Sequence, residues 1–340
     1  MSESVGRLTL ADIARLAGVG VGTASRALNG SSSVAPATRA RVLAVAEQYH
    51  YVISPDASGL ARGTTGRVGL VVPHMSRWFF GTMVEALEAV FRRADIDVLL
   101  YHVGDRRDRQ EFFQRLPARR KVDALVVVGF PIEEAERQRL ELLDVHVVAA
   151  GGQNADYPHV SIDDLNAGTQ AVGHLVSLGH RAIAMIEAVD PDQSPSPSQR
   201  SAAYYTLLEE AGIPIDPRLV VQVDWGGVQG AEAMGQLLSL RSRPTSVYAH
   251  SDEVALGAIR TIRRAGLRIP EDISVVGIDD HPLARLTDLT TVGQPVWEQG
   301  RRTAELVLSL LEGGPANSSV TLPTRLVVRR TTAPPAATSD

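Results

Sequence analysis

Between residues 9 and 50, apolar side chains recur at helical spacing in three short blocks. Ile13, Leu16 and Ala17 line one face of the first; Thr9 is placed to cap it with Asp12 three residues on, and Gly18 ends it. A second block runs over 21–28 and stops at Asn29-Gly30. A third starts at Pro36, a residue suited to a first helical position, and runs to about residue 50 with Val42, Leu43, Ala46 and Tyr49 inward. Two helices separated by about four residues around a glycine fit a helix-turn-helix unit; a plain three-helix bundle fits the same pattern. Residues 51–66 hold Ser54, Pro55, Gly59, Gly63 and Gly66, which predicts a linker that waits for a partner to order it.

From Val68 the texture changes. Apolar runs over 68–72, 98–101, 124–128, 147–150, 182–186, 219–223, 246–249 and 274–278 read as strands. Amphipathic stretches over 83–94, 110–116, 133–143, 166–178, 201–211, 227–240 and 253–265 read as the helices between them. This alternation predicts parallel sheets covered on both faces, and about 270 residues suffice for two such sheets with a cleft between them. Ligands in such folds sit at the carboxyl ends of the strands. The division expected is a headpiece (1–50), a linker (51–66), a two-lobed α/β body (67–330) and a disordered tail (331–340, TTAPPAATSD).

Charge changes the picture slightly. The chain carries a formal −5, yet residues 1–66 hold six Arg against four acids, so a mildly basic head precedes an acidic body. There is no cysteine, which excludes disulfides and thiolate metal sites. The nine histidines show no metal-ligand spacing, so no metal or cofactor is expected. Enzyme classes fare poorly: the first body strand leads into VVPHMSRWFF with no glycine-rich dinucleotide turn, and neither a G-x-S-x-G elbow nor a P-loop occurs. The pair Asp280–His281 reads as cleft lining. The N-terminus lacks the apolar core of a signal peptide and no run is long enough to span a membrane, which points to the cytoplasm and away from a secreted sugar-binding protein.

The run TLADIARLAGVGVGTASRALNG, followed by SSSVAPATRARVLAVAEQYHYVISPDASGLARG, resembles the headpiece and hinge of the LacI/GalR family of bacterial regulators. VGLVVP, VSIDDLNAG, HLVSLGHRAIAMI, SDEVALGAI, RIPEDISVVGIDD and LTTVGQP follow in that family's order, so the resemblance covers residues 8–330. It implies an all-α helix-turn-helix headpiece on a periplasmic-binding-protein-like body. It also implies a homodimer reading a near-palindromic operator in double-stranded DNA, and a small-molecule effector, a sugar or sugar derivative, in the cleft. A repressor is the more common role in the family; the operator's position, which no residue encodes, decides between repressor and activator.

On this resemblance Val21, Gly22 and Arg26 face the bases, with Arg26 suited to bidentate bonding to guanine. Thr23, Ser25, Asn29, Ser33 and Thr38 become candidates for phosphate contact, with capping a helix or closing a turn as the alternative for several, and Thr9 joins the DNA-binding set. In the hinge, Ala57 joins the DNA-binding set and Leu60 matches the leucine that wedges into a central base step; packing on the body is the alternative. Gly20 and Ala35 stand where capping hydroxyls are usual, and Ser54 and Gly59 depart from the usual hinge residues.

For the effector, aromatic platforms with a few convergent polar groups are the expected chemistry. Trp78, Phe79 and Phe80 cluster just after the first body strand, and the core could claim one or two of them. Arg200, Trp225 and Asp279 match family effector positions, with a surface ion pair as the alternative for the two charged ones. Ser251 and Asp252 occupy a similar strand end. Ala150 stands where many relatives carry an acidic contact, and Phe130 is a candidate to line the cleft instead.

Overall fold

The computed structural model describes residues 8–28, 30–51, 64–152, 157–189, 198–315 and 318–336. Three helices form the headpiece: α1 (Leu10–Leu16), α2 (Val21–Leu28) and α3 (Pro36–Gln48). Thr9 caps α1 in a reciprocal box with Asp12, and Gly18, at φ +64, turns the chain toward α2. Ile13, Ala17, Ala24, Ala27, Val34 and Val42 make a small core. On α3 the inward set is narrower than expected. Val42 and Ala46 are buried, but Leu43 and Tyr49 are more than 40% exposed. A 3.6-residue period carries 42 and 46 to one face and turns 43 about 100° away. Ala35 contributes no side-chain cap to α3, as its lack of a hydroxyl dictates, and Pro36 opens the helix.

The body holds two six-stranded sheets. The first contains β1 (Arg67–Val72), β2 (Asp97–His102), β3 (Ala124–Val128), β4 (His146–Ala150), β5 (His159–Ile162) and β11 (Ser319–Leu322), in the order β2-β1-β3-β4-β5-β11, all parallel. The second contains β6 (Ile183–Ala188), β7 (Val220–Val223), β8 (Ser246–Ala249), β9 (Ser274–Asp279), β10 (Thr290–Gly293) and β12 (Arg325–Val327), in the order β7-β6-β8-β9-β10-β12, with only β12 antiparallel. The chain therefore passes between the lobes three times, after Ile162, after Gly293 and after Leu322. The strands and helices around the last two passages were not legible from periodicity.

Helices cover both sheets. Those that position the site are α4 (Trp78–Arg93), α5 (Arg106–Arg115) and α6 (Glu134–Leu140) in the first lobe, and α7 (Asp164–Ser177), α8 (Gln199–Glu210), α9 (Gly227–Leu238), α10 (Asp252–Arg264) and α11 (Pro282–Leu286) in the second. The long helix α12 (Val296–Leu311) returns to the first lobe, where Gly300 lets it lie against α4: a Cβ there would come within 2.8 Å of the Met83 carbonyl. The expected start of α4 at residue 83 is corrected to Trp78.

The disordered tail is also corrected as far as residue 336. Thr331 is buried, its carbonyl accepts from Val275 N–H at 2.7 Å, and its hydroxyl donates to the Val275 carbonyl at 2.7 Å. Ala333 exchanges hydrogen bonds with the Ser274 hydroxyl, 3.0 Å each way. The small and proline-rich sequence gives no periodic signal because these partners, Thr290 included, lie more than forty residues away.

Candidate DNA-reading face and effector cleft

Helix α2 buries Ala24 and Ala27, which leaves Val21, Gly22 and Arg26 on its exposed side. Arg26 lies over Gly22, whose missing Cβ would meet its Nη1 at 3.8 Å. The other described headpiece arginines are engaged. Arg15 pairs with Asp12 at 3.0 Å, Arg41 Nε donates to the Ala17 carbonyl at 2.9 Å, and Arg39 Nη2 donates to the Ser31 carbonyl. These last two close the ends of α1 and α2, a use that residue type alone does not announce. Among the described headpiece residues Arg26 is the arginine whose guanidinium has no protein partner. Thr9 is committed to its cap, Thr23 and Thr38 are half-buried, and Ser33 shares a 2.8 Å hydrogen bond with Ser31. Gly20 starts α2 with its carbonyl only, accepting from Thr23 and Ala24 N–H at 2.9 Å. Asn29, Ala57 and Leu60 lie outside the described residues, as do Ser54 and Gly59.

In the body, the carboxyl ends of both sheets turn toward each other. From the first lobe, Trp78 meets the His281 ring edge-on at 5.0 Å, so the two lobes touch through aromatics. Phe79 and Phe80 pack edge-to-face at 5.2 Å; Phe80 is buried in the lobe's core and Phe79 rests on it beside Gly151. The consecutive trio thus divides, with Trp78 reaching across and the other two supporting it. Arg77 is a bridging residue that motif reading passed over. Its Nε pairs with Glu253 of the second lobe at 3.1 Å, and its guanidinium stacks 5.0 Å from the Trp225 ring. The signal available was a lone arginine beside three aromatics.

From the second lobe, Arg200 donates through Nε to Asp164 at 2.7 Å and through Nη1 to the His250 carbonyl at 2.5 Å. Burial opposes its charge, but Asp164 and Asp279 outweigh that and hold its pKa above the ordinary value. Asp279 ends β9 at φ +135, and Asp280 follows at φ +57. Two successive non-glycine residues there cost roughly 1–3 kcal/mol each and are retained only where the surroundings dictate them. Gln294 donates to Asp279 at 2.6 Å and Gln299 donates to Gln294 at 3.0 Å, a buried chain leading from the cleft floor into α12. Burial pushes Asp279 up to about 6 despite Arg200 and Gln294. His250 is fully buried, and burial followed by Arg200 presses it down to about 3, so its ring is neutral.

Three candidates are placed differently from expectation. Phe130 is 2% exposed, packed with Val71, Val103 and Phe112 in the first lobe's core, with Arg109 stacked on its ring. Asp252 is fully buried with both oxygens occupied, by the Thr291 hydroxyl at 2.6 Å and the His281 N–H at 2.8 Å. It ties β10 and the start of α11 together. Ser251 caps α10, accepting from Val254 N–H at 3.3 Å. A strand end supplies both cleft residues and caps, and sequence alone does not separate them.

Asp279 and His250 make a test by pH. A carboxyl raised to about 6 in the fold, against about 3.9 unfolded, takes up a proton on folding between those values. Its contribution to stability therefore rises as pH falls through that window. A histidine lowered to about 3, against about 6.5 unfolded, does the opposite, since the unfolded chain takes the proton first. The two offset each other in the parent chain. Asp279→Asn removes the first and is expected to lose stability more steeply between pH 6 and pH 4 in urea unfolding. Equal slopes for parent and variant would contradict this placement of charges.

A three-helix headpiece of helix-turn-helix form joined to a two-lobed α/β body with a polar, aromatic cleft defines a DNA-binding transcriptional regulator. Residues 9–54 match the model of bacterial regulatory proteins of the lacI family, and residues 172–332 match that of a periplasmic binding protein-like domain. The HTH-type transcriptional repressor CytR of Escherichia coli (strain K12) is 30% identical over 329 residues, covering 95% of this chain and 96% of that protein. The lac repressor dimer bound to operator and the anti-inducer ONPF is similar at a TM-score of 0.84 and 27% identity, covering 96% of this chain and 99% of that one. The transcriptional regulator CelR–cellobiose complex is similar at a TM-score of 0.70 and 30% identity, covering 96% and 100%. The chain belongs to the lacI family of bacterial regulatory proteins; it is a DNA-binding regulator of transcription and not an enzyme.

Proposed function

We propose that the protein is a homodimeric repressor that reads a near-palindromic operator through α2. Its grip on DNA changes when a carbohydrate-class effector fills the cleft between the lobes. The observation that carries this reading is Arg26, whose guanidinium has no protein partner among the described residues and lies on the exposed side of the second helix of a helix-turn-helix. A second copy suits α11, whose Leu283 and Leu286 are exposed, the latter at 79%. The sugar class is supported by Trp78, Trp225, Arg200 and Asp279 around one cleft and by the cellobiose held in the CelR complex. A role in DNA binding, as in its relatives, supports a place in the cytoplasm.

Selection of tight binders from a random duplex library at near-physiological salt tests the operator reading. Enrichment of a palindrome with a central CG step supports it, and purely salt-sensitive, sequence-indifferent binding overturns it. The selected duplex then serves to screen sugars, cellobiose first, for an effect on binding. Arg26→Ala is expected to relax preference at one symmetric base pair by about 1–3 kcal/mol and leave the others in place. An unchanged preference at every position would remove Arg26 from base reading.

A further inference from the structure

The chain has one run of three consecutive cations, Arg119-Arg120-Lys121, in a body that is acidic as a whole. All three are exposed, and none has a hydrogen-bond or ion-pair partner for its side chain among the described residues. Most cation pairs elsewhere in the body include an arginine bound to a carboxylate, as in Arg92 with Glu88, Arg301 and Arg302 with Glu298, and Arg329 with Asp280. The turn that carries the run is fixed at both ends. Ala118 and Val122 are buried on either side, and Arg119 and Lys121 N–H donate to the Leu116 and Ala118 carbonyls at 2.9 Å.

Position sharpens the reading. Asp123, two residues beyond Lys121, accepts the N–H groups of Thr65 and Gly66 at 2.7 Å each. That clamp fixes the point where the chain arrives from the headpiece. The basic turn and the entry point thus share the amino end of a parallel sheet, and the effector cleft lies at its carboxyl end. Thirteen residue steps separate Tyr51 of the headpiece from Thr64, so the two stay within about 45 Å of each other. The groove beside the turn also carries Arg67, Glu141 and Asp144; Glu141 faces Arg137 at 3.7 Å and Asp123 is spent on its clamp, which leaves the local balance positive.

We propose that Arg119, Arg120 and Lys121 form a second DNA contact, on the body, that binds backbone phosphates of the duplex held by the headpiece. The contact rests on the operator reading above and adds affinity without sequence information, because phosphates are the same at every base pair. It also gives the body a hold on DNA that does not pass through α2.

The test is the salt dependence of binding by the full chain to its selected duplex and to a random duplex. The variant R119Q/R120Q/K121Q changes only exposed side chains. Its log K against log salt concentration is expected to be shallower than the parent's by about 1–3 per protomer, at about 0.9 for each phosphate that the variant leaves unneutralised. Affinity for both duplexes should fall by the same factor, leaving their ratio unchanged. The control R241Q/R243Q/R264Q removes equal charge from exposed positions at the amino edge of the second sheet and should keep the parental slope. An unchanged slope in the first variant, or an equal change in the control, overturns the proposal while leaving the operator reading intact. Failure of the parent to bind any selected duplex overturns the operator reading and this contact together.

Discussion

An Arg200→Ala chain is expected to be about 3–5 kcal/mol less stable than the parent and to hold its operator without answering to effector. The guanidinium is the charge between two carboxylates, Asp164 at 2.7 Å and the buried Asp279. It also holds the His250 carbonyl at the end of β8. Removing it strands one partly buried and one buried acid and frees a carbonyl, and each of these costs more than the interaction was worth in water. The same three groups frame the second lobe's side of the cleft, so a ligand would lose its main cation as well. Urea unfolding followed by circular dichroism gives the first number, and sugar-dependent operator binding gives the second. A stability loss below about 1 kcal/mol would mean the acids find other partners and would sink the argument. Arg200→Lys should recover part of the stability but little of the effector response, because an ammonium cannot bond two sites in the fixed fork of a guanidinium.

Arg109→Ala should cost a similar amount, about 3–5 kcal/mol, with the effector response preserved in whatever fraction remains folded. Arg109 on α5 bonds Glu136 on α6 through two contacts, at 2.6 and 2.7 Å, and both side chains are buried. It also donates to the Pro131 carbonyl at 2.8 Å and lies 4.5 Å from the Phe130 ring. Glu136 in turn accepts the Glu133 N–H that opens α6, so one deletion loosens two helices and the loop between them. Unfolding and sugar titration of the same sample distinguish this from Arg200. If Arg109→Ala abolished the sugar response at full folding, the pair would belong to the site and not to the framework.

The contrast between these two arginines marks how far residues alone can be read. Arg109 is buried and Arg200 nearly so, both face carboxylates, and both sit in helices. Each lies one residue before the stretch that periodicity assigns to a helix, 110–116 and 201–211, and Arg200 stands out only because it matches a family position. Nothing local separates them, since their partners are 36 and 27 residues away. Phe130 and Asp252 fail for the same reason. An aromatic or an acid at a strand end can turn to the cleft or to the core, and the choice depends on what the neighbouring strand presents.

Local pattern carried more where the physics is local. The three headpiece helices, the Thr9–Asp12 box, the reversal at Gly18 and the strands over 124–128 and 246–249 stand where sequence placed them, because caps and periodicity act within a few residues. The alternation of strand and helix likewise sufficed for a parallel, two-sheet body. Only the tertiary structure decided that the chain crosses between lobes three times, that Arg77 bridges them to Glu253 and Trp225, and that Thr331 is buried beside β9. Each of these depends on a partner far along the chain, whose position exists only once both sheets have formed. Sequence by itself thus determined the class of elements and the headpiece, and packing decided which side chains meet in the cleft.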